Sequence, residues 1–205
     1  MIDKEPLISS LHELGAVKIG ESGTQELGRS PLTLDMQLMA SRPATLRRVV
    51  RMMATMAAKV KFDRIAAIPM GGLAVGIALG LTIDKPVVYQ RLLGRESTVG
   101  RYLAGLYKAG ESVLVVDDLL TGGDSQLEAL AVLEMVRLKA TNVMVVLDSG
   151  LGGRQILEAK NYKVHAVLTI PEILDGLLRL RRINPEQHRL VLEWLKAHEP
   201  HSTVG

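Results

Sequence analysis

Short aliphatic runs alternate along this chain with longer stretches whose apolar positions recur every three to four residues. The runs RIAAIP (Arg64–Pro69), PVVYQR (Pro86–Arg91), SVLVVD (Ser112–Asp117), NVMVVLD (Asn142–Asp148) and KVHAVLTI (Lys163–Ile170) are nearly continuously apolar, as strands covered on both faces must be. Helical periodicity occupies the intervals, over Arg42–Val60, Leu73–Leu81, Ser125–Ala140 and Gly153–Lys160. Strand, helix and strand in repetition predict an α/β fold, a mostly parallel sheet with helices on both faces.

The two ends add smaller pieces. A helix is expected around Pro6–Leu14, and the Gly-punctuated segment Gly20–Asp35 reads as a small antiparallel hood. Near the C-terminus Pro171–Leu180 and Asn184–Glu199 read as helices opened by proline, the second with Asn184 as its cap. With no repeat and no long linker, one domain is expected over 1–205, the hood within 1–40 and the added helices within 171–205.

Composition narrows the chemistry. The 205 residues are 47% hydrophobic but hold one Phe, one Trp and four Tyr, so the core is aliphatic and an aromatic platform for nucleic acid is lacking. A net charge of +3 suits an anionic small molecule and falls short of a nucleic-acid footprint. The absence of cysteine excludes disulfides and thiolate metal sites, and the five histidines (His12, His165, His188, His198, His201) show no ligand spacing. No apolar stretch has the length of a membrane span and the N-terminus does not read as a signal peptide, so the expected location is cytoplasmic.

Three loops follow predicted strands, where open parallel sheets bind ligands. The first, in VLVVDDLLTGGDS, sets Asp117 and Asp118 before Thr121, Gly122, Gly123, Asp124 and Ser125 at a helix start, a phosphate cradle beside two acceptors for hydroxyls or a metal. Neither a Walker A loop nor a GxGxxG fingerprint is present. The second, PMGGLAVG, offers Met70, Gly71 and Gly72 for close backbone approach. The third, Gln90–Gly105, carries Arg91, Arg95 and Arg101 and reads as a lid for a polyanion.

These residues resemble the type I phosphoribosyltransferases, and the order of elements resembles the orotate phosphoribosyltransferase family, including the form fused in UMP synthase. VLVVDDLLTGGDS is similar to its phosphoribosyl pyrophosphate (PRPP) motif. SPLTLDMQLMASRP, FDRIAAIPMGGLAVG and VMVVLDSGLGGRQILEAKNYKVHAVLTIPEIL align with its Ser-Pro to Arg-Pro segment, pyrophosphate loop and late strand with glycine pair.

The resemblance implies Mg²⁺-assisted transfer of a phosphoribosyl group from PRPP to a base, orotate, releasing pyrophosphate. Asp117 and Asp118 would take the ribose hydroxyls, directly or through metal-bound water, Thr121–Ser125 the 5′-phosphate, and Met70–Gly72 the pyrophosphate. Arg91, Arg95 and Arg101 would act on the pyrophosphate across a homodimer with shared sites, and Glu26 and Ser149 would face the base.

The chain departs from the family pattern at several of these places. Leu92 replaces a lysine, Ser97 a His or Tyr and Ala104 a Glu, while Glu26 and Ser149 replace a Lys and an Arg on the base side. These exchanges leave open an alternative class, an impaired homologue that senses PRPP or a nucleotide. Asp124 stands where the family has a small or hydroxyl residue, and two placements remain: against the phosphate, or outward as cap of the next helix.

Overall fold

The computed structural model describes residues 3–20, 30–91 and 102–198. In chain order the elements are α1 (Glu5–Glu13), β1 (Val17–Ile19), β2 (Leu32–Leu34), a 3-10 turn (Met36–Ser41), α2 (Pro43–Ala57), β3 (Arg64–Ala67), α3 (Gly71–Ile83) and β4 (Val87–Gln90). There follow β5 (Leu103–Ala104), β6 (Ser112–Leu120), α4 (Asp124–Met135), β7 (Lys139–Asp148), α5 (Gly153–Ala159), β8 (Lys163–Thr169), α6 (Ile170–Arg179) and α7 (Pro185–His198). Six strands form one sheet in the order β5-β4-β3-β6-β7-β8, parallel except for the β4–β5 pair, while β1 and β2 pair antiparallel as the hood.

Alternation within the central strands divides the core between the two faces. Val113, Val115, Val143 and Val145 pack with Leu130, Leu133 and Leu157 of α4 and α5. Leu114, Val116, Met144 and Val146 face the other way, into a larger core built with α1, α2, α3, α6 and α7. Among the terminal helices Thr169 and Glu172 form a capping box on α6, and the Asn184 side chain, the cap its sequence predicts for α7, accepts the Gln187 N–H at 2.8 Å.

Several boundaries differ from the sequence pattern. β6 runs three residues past Asp117 because its pairing with β7 continues through Leu120↔Asp148, so both acids lie within the strand. α3 begins at Gly71, which puts Gly71 and Gly72 in its first turn and not in a loop. α4 stops at Met135, five residues early, where Arg137 takes φ +60° and Lys139 opens β7. The ends of the long third loop zip into a hairpin, since Tyr89 pairs with Ala104 and the Arg91 N–H reaches the Tyr102 carbonyl at 2.9 Å.

Candidate active site

The strand order fixes where a ligand belongs. From β3 the chain crosses through α3 to β4 on one side, then returns to lay β6 on the other, so the crevice beyond β3 and β6 is the sheet's topological switch point. Asp117 and Asp118 come from the end of β6, and Met70, Gly71 and Gly72 from the turn after β3. The two are pressed together: a Cβ on Gly71 would overlap the Asp118 carboxylate, and one on Gly72 would lie 2.5 Å from the Val116 carbonyl oxygen. Only glycine allows this approach of helix to strand.

Both carboxylates are buried, Asp117 to 5% and Asp118 to 8% exposure. Burial first, then repulsion from Asp118, pushes the Asp117 carboxyl up to about 8. Burial also raises Asp118, with Asp35 of the hood adding to the effect. Each oxygen of Asp117 is held: Oδ1 accepts the Asp118 N–H at 2.8 Å, and Oδ2 accepts Gln126 Nε2 at 2.6 Å. Gln126 was not singled out from sequence, where it is one polar residue among several in the first turns of α4.

Beyond the acids the chain turns into α4. Gly123 (φ +91°) turns the backbone into α4, and among the described residues the N–H groups of Gly122, Gly123, Asp124 and Ser125 meet no acceptor. Thr121, Asp124 and Ser125 are exposed. Asp124 is not the cap of α4, a place taken by Gly123; it is the first helical residue, so its own N–H lies in the cradle and its carboxylate cannot close the helix end as an N-cap side chain does. Instead its Oδ2 leans back to 3.4 Å from the position a Gly122 Cβ would take.

The glycine pair after β7 buttresses this cradle. Gly153 donates its N–H to the Thr121 carbonyl at 2.8 Å, and a Cβ there would stand 2.9 Å from the Gly123 nitrogen. Beside them Ser149 is wholly buried, with its hydroxyl 3.4 Å from the Leu151 N–H. Arg154, also missed in the sequence, binds Asp148 through Nε at 2.7 Å and the Val164 carbonyl through Nη1 at 2.9 Å. On the opposite flank Arg91 shares a cleft of about 430 Å³ with Met70, Leu73 and Tyr89. Glu26, Leu92, Arg95, Ser97 and Arg101 lie outside the described residues.

No family model matches the chain. A curated relative, the orotate phosphoribosyltransferase of Cenarchaeum symbiosum, is 33% identical over 171 residues, 82% of this chain and 86% of that one. The chain belongs to the orotate phosphoribosyltransferase family. The bifunctional enzyme PyrF/PyrE of a Nostoc strain is 31% identical over 88% of this chain, and the chain spans 38% of that relative's length. Among solved structures, the UMP synthase of Leishmania donovani superposes with a TM-score of 0.84 at 26% identity, over 96% of this chain and 43% of that one. The fold is that of the type I phosphoribosyltransferases.

Family membership implies a divalent cation, and the donors present fit one. Among the described residues no cluster of three or more metal-ligating side chains exists, so an all-protein cage is absent. Mg²⁺ is ordinarily held by one or two carboxylates together with substrate phosphates, which matches two adjacent buried acids beside an open anion cradle. Among the described residues no helix is long and apolar enough to cross a membrane.

Proposed function

We propose that the chain transfers the phosphoribosyl group of PRPP to a ring nitrogen of orotate, forming orotidine 5′-monophosphate and pyrophosphate. The carrying observation is the packing of Asp117 and Asp118 against the Gly71–Gly72 turn at the switch point, with the open N–H groups of residues 122–125 one turn away. In the reaction the bond from the sugar's anomeric carbon to the pyrophosphate oxygen breaks, and a bond from that carbon to the base nitrogen forms. The sugar is cation-like between the two events, and a fixed pair of acids at its hydroxyls favours that state over the ground state.

The residues divide the substrate among them. Asp117 and Asp118 accept the ribose hydroxyls and are the groups that would hold Mg²⁺ through its water shell. When bound, the cation neutralises pyrophosphate and keeps both buried acids ionised. Thr121–Ser125 receive the 5′-phosphate through backbone N–H groups and the positive end of α4. Met70, Gly71, Gly72 and Arg91 face the pyrophosphate, with Arg95 and Arg101 supplying further cations. Ser149 shapes the floor of the base pocket from within, because its buried hydroxyl is turned to Leu151, and Glu26 is the further residue assigned to the base.

The reading extends to a homodimer in the cytoplasm. Met70 at the cap of α3 and Ile77 and Leu81 along it are exposed apolar residues, Leu81 at 83% exposure. A second copy seated there would cover them and bring its own loop cations toward the site. Purified protein mixed with PRPP, Mg²⁺ and orotate tests the activity through the loss of orotate ultraviolet absorbance. Turnover supports it; PRPP binding without turnover would replace the enzyme by a sensor, and turnover with another base alone would replace orotate.

A further inference from the structure

We propose that Gln126 is a positioning residue for Asp117 and ties the phosphate cradle to the sugar-binding acids. The inference rests on the reading of Asp117 as a ribose-hydroxyl acceptor. Gln126 is 2% exposed and sits in the first turn of α4, the helix whose open N–H groups form the cradle. From there its Nε2 reaches Asp117 Oδ2 at 2.6 Å and the Leu119 carbonyl at 3.1 Å.

Which end of the amide faces Asp117 is decided by chemistry. A backbone carbonyl only accepts, so the group that meets Leu119 must be the NH₂, and its second proton goes to Asp117. The other oxygen of Asp117 is already engaged by the Asp118 N–H at 2.8 Å. Held at both oxygens, Asp117 keeps one rotamer and one lone pair per oxygen for the ligand. A phosphate that draws the N-terminus of α4 toward itself carries Gln126, and through it Asp117, so the two halves of the substrate are felt by one connected unit. Such support of a ligand-binding side chain by its neighbour is what holds a site within the tolerance that tight recognition needs.

The test is PRPP affinity in the presence of Mg²⁺, measured by calorimetry on the full chain, with thermal unfolding recorded alongside. Gln126→Met keeps the length of the side chain and removes the donor; Gln126→Glu keeps the shape and turns the donor into an acceptor, so a poor fold in one leaves the other readable. Each is also made with Asp117→Ala. A hydrogen bond to a charged group corresponds to roughly a 10- to 100-fold loss of affinity in each single variant. With Asp117 absent, the same changes at Gln126 should alter affinity by less than about twofold. Unchanged affinity in the single variants, or an equal loss with and without Asp117, would overturn the inference while leaving PRPP binding intact. A wild-type chain that failed to bind PRPP would overturn the site reading and this inference with it.

Discussion

Adding one methyl at either of two adjacent glycines, Gly71 and Gly72, should give two opposite phenotypes. At Gly71 the three atoms nearest the new Cβ all belong to the carboxylate end of Asp118, which can swing aside. At Gly72 it meets backbone, 2.5 Å from the Val116 oxygen and 2.8 Å from the Asp117 Cα, where an ordinary carbon–oxygen contact is about 3.3 Å. Relief then requires α3 to lift from the sheet by roughly 0.8 Å, an overpacking of about 1–3 kcal/mol. For a chain of this length that corresponds to a fall in Tm of about 2–12 °C.

The three atoms nearest the Cβ of Gly71→Ala all belong to a carboxylate that can move, so its Tm should stay within about 2 °C of wild type. Its effect falls on the ligand, because a displaced Asp118 forfeits charge-assisted hydrogen bonds worth about 1.5–3 kcal/mol, or roughly 10- to 150-fold in PRPP affinity. Thermal unfolding and calorimetry on the two variants separate the cases. Full PRPP affinity in Gly71→Ala, or an undiminished Tm in Gly72→Ala, would refute the reasoning.

Three further outcomes follow from the geometry. The raised carboxyl of Asp117 binds a proton in the native chain and not in the unfolded one between about pH 4 and 8, so its contribution to stability falls as pH rises through that window, by at most about 6 kcal/mol. The lowered pKa of His165 acts with the opposite sign, so the comparison to make is the Tm slope of Asp117→Asn against wild type without ligand, and the variant's should be flatter toward high pH. Asp124 is exposed, which places its repulsion of a phosphate nearer the aqueous value of about 1 kcal/mol than the interior one, so Asp124→Ser should tighten ribose 5-phosphate about fivefold by calorimetry. The proposed homodimer predicts that Leu81→Glu, at a position 83% exposed in the isolated subunit, sediments as a monomer where the wild type sediments as a dimer.

The parts of the fold that the sequence makes legible are those governed by apolar pattern. β3, β7 and β8 carry almost uninterrupted aliphatic runs, and the Asn184 cap is written in local chemistry that needs no tertiary partner. The pattern misleads where a tertiary partner decides. Two aspartates end the apolar run of β6, yet pairing with β7 carries the strand through them; two glycines look like a loop, yet the close approach of α3 to β6 makes them its first turn. β5 is two residues long and exists by pairing with β4.

The candidate site divides in the same manner. Asp117, Asp118, the 121–125 cradle and the Gly71–Gly72 turn come together where their motif positions imply, and Arg91 reaches the cleft beside Met70. Gln126 was not legible because its direction depends on the rotational phase of α4 against the sheet, which the polar and apolar pattern of that helix leaves loose. Arg154 is hidden for a related reason: its value lies in meeting Asp148 and the Val164 carbonyl, from two different strands. The buried hydroxyl of Ser149 likewise follows from packing of the loop after β7, with the Ser149 N–H on the Leu120 carbonyl at 2.9 Å.

The central claim is that the acids of β6 and the cradle after them hold a ribose phosphate, and calorimetric titration with ribose 5-phosphate tests it without requiring turnover. The wild-type chain should bind, with Asp118→Asn weaker by about tenfold or more through the loss of a charge-assisted hydrogen bond. Binding of equal strength in the wild type and Asp118→Asn, or no binding by the wild type, would contradict it.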